Sequence, residues 1–159
     1  MANKVVILRG PSGSGKSRYA RNNYREALVV SADDEFMVLD PETGRDEYRF
    51  DPGKLGGAHA RCFNRFLEAL RNKAPLVVVD NTHIHHWEYY NYLDTAKMMG
   101  YDIEIVEFRP ETLADMMECV RRNVHKVPFN VIARMCSEFE PCYKEKNVKR
   151  VPILGETCP

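Results

Sequence analysis

The sequence predicts an α/β fold of three layers, in which a mostly parallel central sheet of four to five strands lies between helices. Short apolar runs rich in β-branched residues alternate with longer segments in which apolar residues recur every three or four positions. This alternation is typical of parallel strands joined by crossover helices. The predicted strands are residues 5–8, 28–31, 75–80 and 102–108, and the predicted helices are residues 18–25, 51–72, 87–100, 111–126 and 129–139.

Length and charge limit what the chain can be. At 159 residues we expect one domain, residues 1–159, with a hydrophobic core. Its 23 basic and 23 acidic side chains cancel, so any site for a polyanion must be local. No apolar run approaches a membrane span and residues 1–4 leave no room for a signal peptide, so we expect a cytoplasmic protein with no membrane partner. Reduced thiols are expected at positions 62, 119, 136, 142 and 158, although Cys136 and Cys142 could approach each other.

A glycine-rich loop joins the first strand to the first helix. Four of its residues fit the pattern G-x-x-x-x-G-K-S/T, in which glycines let backbone N–H groups turn inward around phosphate oxygens at the positive end of a helix. We therefore predict a P-loop, with Lys16 reaching the β- and γ-phosphates of ATP and the Ser17 hydroxyl binding Mg²⁺. The alternative is a glycine-serine turn with an incidental lysine. The predicted ATP-binding residues of the loop are Gly10, Ser12, Gly13, Ser14, Gly15, Lys16 and Ser17.

Two aspartates follow the second predicted strand, which we expect to lie beside the first. Ligands bind at the carboxyl edge of an open α/β sheet, and a kinase needs a carboxylate there to orient the acceptor hydroxyl and take its proton. We predict Asp33 as this general base, with Asp34 as second choice and acceptor contact. The pair could instead be an ordinary helix cap. Residues 36–50 predict a small hairpin or irregular excursion over the acceptor side, where acceptor selectivity could lie.

Polar residues also follow the strand at residues 75–80. Asp80 ends that strand as the acid of a Walker B strand does, so we predict it near the metal, with a capping role as the alternative. Asn81 and Thr82 share the same sheet edge and are predicted acceptor contacts. Histidines follow at positions 83, 85 and 86. Because no cysteine or carboxylate completes a zinc set nearby in the sequence, we expect solvated side chains and not metal ligands.

Basic residues gather at the end of the fourth predicted helix. They favour a lid over about residues 119–128, whose arginines close over ATP and offset the charge of the γ-phosphoryl group. Simple complementation of the helix dipole is the alternative. A second basic segment, residues 144–150, is expected to be a solvated charge run, with a phosphate-backbone contact as the alternative. The basic and polar residues concerned are Arg121, Arg122, Asn123, His125, Lys126, Lys144, Lys146, Lys149 and Arg150.

The ordered set of motifs resembles the P-loop 5′-hydroxyl polynucleotide kinases of the phage type and their stand-alone relatives, within the P-loop NTPase and kinase fold class. The matching pieces are residues 10–17, 31–34, 48–55, 79–82 and 121–128. The resemblance implies transfer of the γ-phosphate of ATP, with Mg²⁺, to the 5′-OH end of a nucleic acid. By position it implies Asp33 as general base, Arg122 as the catalytic and ATP-binding lid arginine, and Lys126 as a second ATP-binding lid cation.

Two features depart from that family. In the phage enzyme, an arginine three positions after the catalytic aspartate contacts the acceptor phosphate. This chain has Phe36 at that position, so Arg45 and Arg49 are the candidates for the contact. The phosphatase domain of the phage enzyme has no counterpart, so only kinase activity is expected. Two alternatives stay open: a small-metabolite kinase acting on gluconate, shikimate or a nucleoside, and a nucleotide-dependent switch that is not a kinase.

Overall fold

The computed structural model describes residues 2–154. Its centre is a five-stranded sheet in the order β2-β5-β1-β6-β7, and each of its four strand pairings is parallel. The predicted α/β class with a mostly parallel sheet is therefore confirmed. The strands are β1 (Lys4–Arg9), β2 (Leu28–Val30), β3 (Met37–Leu39), β4 (Asp46–Tyr48), β5 (Leu76–Asp80), β6 (Asp102–Glu107) and β7 (Val148–Arg150).

Helices cover both faces of the sheet. They are α1 (Lys16–Asn23), α2 (Leu55–Arg71), α3 (Tyr90–Met98), α4 (Leu113–Arg122) and α5 (Phe129–Glu138), with short 3₁₀ turns at Ala32–Phe36, Pro52–Lys54 and His86–Glu88. Among residues 2–154, no helix is both long enough and apolar enough to cross a membrane. The predicted lid, residues 119–128, comprises the last turn of α4 and the whole connection to α5.

Alternating side chains of β1 divide the core into two layers. Val5 and Ile7 pack into a cluster with α2 and α3, which includes Phe66 and Tyr92. Val6 and Leu8 face the other way, into a cluster formed with α1, α4 and α5. Because successive side chains of a strand point to opposite faces, a fully buried β1 requires helices on both sides. The predicted three-layer arrangement follows from this alternation.

One prediction of strand order is wrong: β2 does not lie beside β1, because β5 lies between them. Val77, Val78 and Val79 of β5 are fully buried, as a central parallel strand requires. Leu28 and Val29 of β2 are 44% and 43% exposed, so β2 takes the edge of the sheet.

The C-terminal basic segment is exposed as predicted, but it also contains a strand that the sequence did not predict. Residues 148–150 form the edge strand β7 against β6. Lys149 and Arg150 remain exposed, and Arg150 forms an ion pair with Glu111. Lys144 and Lys146 are exposed in the preceding connection. A three-residue strand with two charged residues carries no apolar pattern, so the backbone pairing could not be read from the sequence.

The predicted hairpin is confirmed as an antiparallel pair of β3 and β4. Its turn is closed by the N–H of Asp40, which donates to the carbonyl oxygen of Arg45 at 2.9 Å. The thiols of Cys62, Cys119, Cys136 and Cys142 are free, and position 158 lies outside the described residues.

Candidate active site

A cavity of about 370 Å³ opens at the carboxyl edge of the sheet. Its walls come from the P-loop, the first turns of α1, the ends of β2 and β5, and the end of α4 with the connection that follows. This is where ligands bind in open α/β sheets. The lining residues are Ser12, Gly13, Gly15, Lys16, Ser17, Arg18, Arg21, Asp33, Asp80, Asn81, Thr82, Arg122, Asn123, Val124 and His125.

Two glycines give the P-loop its shape. Gly13 and Gly15 have φ angles of 81° and 103°, in the left-handed region that side chains with a Cβ rarely adopt. A Cβ at Gly13 would lie 2.1 Å from the carbonyl oxygen of Cys119 in α4, so the loop also packs against that helix. Gly15 caps the N-terminus of α1. The loop therefore lies at the positive end of that helix.

Lys16 points back into its own loop. Its ammonium donates hydrogen bonds to the carbonyl oxygens of Gly10 and Pro11, both at 2.9 Å, and lies 3.5 Å from Ser14 Oγ. Burial lowers the pKa of Lys16, while the negative charges of Asp80 and Asp33 oppose that shift. The side chain is thus a buried cation held by neutral carbonyl groups, which an anionic ligand can compete with.

Ser17 and Asp80 form a pair in the lining of the cavity. The Ser17 hydroxyl donates to Asp80 Oδ2 at 2.7 Å and joins the first turn of α1 to the end of β5. Hydroxyl and carboxylate oxygens are ligands that Mg²⁺ accepts. Within residues 2–154, no three His, Cys, Asp or Glu side chains are grouped to hold a metal. A Mg²⁺ ion here would therefore complete its coordination with water and phosphate oxygens, as this ion usually does.

Asp33 also lines the cavity, just after β2. Ser31, not Asp33, caps the 3₁₀ turn, because Ser31 Oγ accepts the backbone N–H of Asp33 at 3.2 Å. Ser31 therefore takes the cap position, while Asp33 and Asp34 lie in the first turn, as the alternative interpretation also allowed. Asp33 Oδ1 accepts a hydrogen bond from the hydroxyl of Tyr48 at 3.0 Å, and Oδ2 lies 3.9 Å from Nε2 of His125. Asp33 faces the cavity that the P-loop lines.

Other predicted acceptor residues are distributed differently. Asn81 and Thr82 line the cavity, and Asn81 Oδ1 accepts the N–H of Ala32 at 2.9 Å, which ties the end of β5 to the end of β2. Asp34 lies outside the lining, 4.0 Å from Nη2 of Arg65, and burial raises its pKa. Arg49 also lies outside the lining and pairs with exposed Glu47 at 2.9 Å.

The lid residues are divided between the cavity and the surface. Arg122 lines the cavity, and its Nε donates to Oε1 of Glu118 at 2.8 Å. Hydrogen bonding from Arg121, and then from Arg122, lowers the pKa of Glu118 to about 2. Asn123 braces the connection, because its Nδ2 donates to the carbonyl oxygen of Val127 at 2.7 Å. Lys126 is exposed outside the lining.

Sequence reasoning missed two arginines. Arg18 and Arg21 line the cavity from exposed positions on α1, one turn apart. Within residues 2–154, no carboxylate lies within 4.0 Å of either guanidinium, whereas Arg122 is paired with Glu118. The signal available in the sequence was their three-residue spacing immediately after the P-loop. Together with Lys16, they make this wall of the cavity cationic.

The three histidines have structural contacts. His83 is fully buried, not solvated as expected, and burial lowers its pKa to about 3. Its Nδ1 lies 3.2 Å from the carbonyl oxygen of Leu8. His85 lies between Glu88 and Glu138, and His86 Nε2 lies 3.0 Å from the carbonyl oxygen of Pro141. These contacts attach the connection after β5 to the body of the fold.

Comparison with known proteins adds a family and a fold. A family model described as AAA domain matches residues 5–142. Human NEDD4-binding protein 2 is 32% identical over 145 residues, which are 86% of this chain and 8% of that relative. The chain therefore spans only a small part of that relative's length.

Several solved structures share the fold. A gluconokinase from Sinorhizobium meliloti 1021 has a TM-score of 0.62 and 14% identity, over 95% of this chain and 83% of that chain. The Pnkp1/Rnl/Hen1 RNA repair complex has a TM-score of 0.63 and 21% identity, over 87% of this chain and 44% of that chain. The Mycobacterium tuberculosis APS kinase CysC, in complex with AMPPNP and APS, has a TM-score of 0.58 and 19% identity, over 95% and 88%. At these identities the likeness is one of fold.

Proposed function

The chain belongs to the AAA domain family and is a P-loop kinase-type domain; from this premise we propose that it transfers the γ-phosphate of ATP to the 5′-hydroxyl end of a polynucleotide. The observation that carries the proposal is one cavity, shared by the P-loop and by the carboxylate of Asp33. A phosphate donor and an alcohol acceptor can meet there. The proposal covers this domain and not the much longer relative.

The loop would bind the donor. Its backbone N–H groups and the Lys16 ammonium suit the β- and γ-phosphates, and Lys16 would exchange the carbonyl oxygens of Gly10 and Pro11 for phosphate oxygens. Ser17 and Asp80 would hold Mg²⁺, which when bound neutralises charge on the transferring phosphoryl group. Arg122 would release Glu118 in part and add a positive charge at the γ-phosphate.

Asp33 would direct the acceptor. The acceptor hydroxyl hydrogen-bonds to the carboxylate, which orients its oxygen toward the γ-phosphorus and takes its proton. A new phosphorus–oxygen bond forms to the acceptor as the bond to the β-phosphate breaks, and ADP leaves. Asp33 then returns its proton to solvent. This geometry would serve any alcohol that reaches the cavity.

Arg18 and Arg21, which have no carboxylate partner among residues 2–154, favour a polynucleotide acceptor. A nucleic-acid end carries phosphate groups next to its terminal sugar. One guanidinium group can donate two parallel hydrogen bonds to the oxygens of a phosphate. Arg18 and Arg21 supply such groups on the cavity wall. The shared fold does not choose between acceptors, because the similar structures include a gluconokinase, an APS kinase and an RNA repair complex.

Transfer from γ-labelled ATP tests the acceptor. We expect label on DNA or RNA oligonucleotides that end in a 5′-hydroxyl, and none on matched oligonucleotides that already carry a 5′-phosphate. Gluconate, shikimate and nucleosides form the comparison panel. Rapid labelling of one of these, with no labelling of any oligonucleotide, would reject the polynucleotide acceptor in favour of a small-metabolite kinase.

A further inference from the structure

Tyr48, at the end of β4, reaches across to the predicted general base. Its hydroxyl donates a hydrogen bond to Asp33 Oδ1 at 3.0 Å. The two residues are 15 positions apart in the chain and meet because the hairpin folds back over the 3₁₀ turn that holds Asp33. No motif in the P-loop or in the lid identifies this tyrosine.

The Tyr48 ring is held by aromatic neighbours on two elements. Its edge contacts Phe36, with centroids 6.1 Å apart, and Phe36 is 3% exposed. The ring of His125 on the lid packs against it at 4.1 Å. Aromatic packing of this kind restricts a side chain to one orientation. The hydroxyl is therefore presented to Asp33 by a ring that cannot turn freely.

Asp33 itself has few constraints. Its side chain is 55% exposed, and in the described part of the chain Tyr48 is the one group that donates a hydrogen bond to its carboxylate. An exposed carboxylate without a fixed partner samples several rotamers. The hydrogen bond from Tyr48 therefore decides how the two oxygens are oriented.

We propose that Tyr48 is a positioning residue for phosphoryl transfer: it fixes Asp33 Oδ1 and leaves Oδ2 as the oxygen that accepts the proton of the acceptor alcohol. The inference rests on the proposed kinase function. His125 Nε2 stands 3.9 Å from Oδ2 and lines the same cavity, so the acceptor hydroxyl enters beside the lid histidine. The fixed carboxylate is then aimed before the acceptor arrives.

Tyr48 does not take part in the proton transfer itself. Burial and the nearby carboxylate of Asp33 raise the pKa of Tyr48, so its hydroxyl keeps its proton and acts as a hydrogen-bond donor. The acceptor proton passes to Oδ2 as the acceptor oxygen bonds to the γ-phosphorus and the bond to ADP breaks. The protonated Asp33 later loses that proton to solvent.

The substitution Tyr48→Phe tests the inference, because it removes the hydroxyl and keeps the ring. We expect kcat to fall by about tenfold or more through loss of alignment, with the KM for ATP unchanged within about twofold because the P-loop is untouched. The matched control is Tyr101→Phe, which removes a tyrosine hydroxyl that donates to the carbonyl oxygen of Ala74 at 2.9 Å, away from the cavity. A kcat that matches the control, or a loss that appears in the KM for ATP, would overturn the inference.

A double-mutant cycle separates positioning from a general structural effect. In the Asp33→Asn background the base is already absent, so adding Tyr48→Phe should lower the rate little further. Multiplicative losses would mean that Tyr48 acts independently of Asp33 and would overturn the inference.

All variants are measured on the acceptor that the wild type uses fastest. A wild type that labels a sugar and no oligonucleotide therefore rejects the polynucleotide acceptor but leaves Tyr48 testable, whereas a wild type that labels no alcohol rejects both.

Discussion

The hydroxyl of Ser17 donates a hydrogen bond to Oδ2 of Asp80 at 2.7 Å, and both residues line the cavity that Asp33 faces. This contact brings together two oxygens from segments 63 positions apart in the chain, at the place where a P-loop kinase binds its metal. If both oxygens bind Mg²⁺, the substitution Asp80→Asn removes a negative ligand and weakens the ion's binding.

We therefore predict that Asp80→Asn raises the Mg²⁺ concentration needed for half-maximal stabilisation by ATP by about tenfold or more. The measurement is the shift in Tm with ATP across a Mg²⁺ titration. The control is Asp94→Asn, an exposed aspartate on α3 away from the cavity. Superimposable titrations of the Asp80 variant and the wild type would exclude Asp80 from the metal site.

The P-loop glycine that contacts α4 gives a second prediction. Gly13→Ala combines a positive φ of 81° with a Cβ 2.1 Å from the carbonyl oxygen of Cys119, so it should both destabilise the fold and abolish ATP binding. Gly44→Ala is the matched control, because Gly44 has a φ of 69° but open space around its Cβ. Urea unfolding should show a cost of about 1 kcal/mol for the control, from the left-handed backbone alone. An equal loss in the free energy of unfolding for both variants would mean that α4 shifts to accommodate the added Cβ at position 13, and would contradict the prediction.

Stability should depend on pH through His83. The folded state lowers the pKa of His83 from 6.5 to about 3 by burial, so the unfolded chain binds a proton at this residue below pH 6.5 and the folded chain does not. The contribution of neutral His83 to the free energy of unfolding is therefore complete above pH 6.5 and is lost as the pH falls toward 3. At about 1.4 kcal/mol per pH unit, the loss can reach about 5 kcal/mol.

Urea unfolding between pH 7 and pH 4.5 measures this effect. The variant His83→Asn lacks the titrating group, and asparagine tolerates the left-handed backbone at this position, where φ is 45°. We expect the stability of the wild type to fall more steeply with decreasing pH than that of the variant. Parallel curves would show that His83 is protonated in the folded protein.

The arginines of α1 should govern acceptor binding. We predict that Arg18→Ala and Arg21→Ala each raise the KM for a 5′-hydroxyl oligonucleotide by about tenfold. Each should also reduce the slope of log KM against log salt concentration by the amount expected for the loss of about one phosphate contact. Arg25→Ala is the control, since Arg25 is exposed but does not line the cavity. Equal effects of all three substitutions would indicate a general charge effect and not a site.

The sequence predicted those parts of the fold and site that depend on local pattern. The β-branched runs identified four of the five sheet strands, and the contiguous motif of residues 10–17 identified the P-loop, because loop and helix start follow from neighbouring residues. Strand order and β7 depend on backbone pairing between distant segments, and so could not be read locally.

The same limit applies to buried charges and to partners in the site. Arg9 and Glu107 end two strands and form a fully buried ion pair. From their charge alone, both side chains would be expected at the surface. Tyr48 meets Asp33 because the hairpin folds back over the 3₁₀ turn, which is a tertiary feature, so this hydrogen bond could not be read from the sequence. Arg18 and Arg21 were visible as residues, but the cavity that they line together with Arg122 was not.

The most direct test of the account is the substitution Asp33→Asn, with phosphate transfer and ATP binding measured on the same preparation. If Asp33 aims the acceptor, as we propose, transfer should fall by a factor of about 100 or more, while stabilisation by Mg²⁺-ATP keeps its wild-type midpoint. Transfer at the wild-type rate would contradict the central claim that this carboxylate and the P-loop act on one acceptor and one donor in a shared cavity.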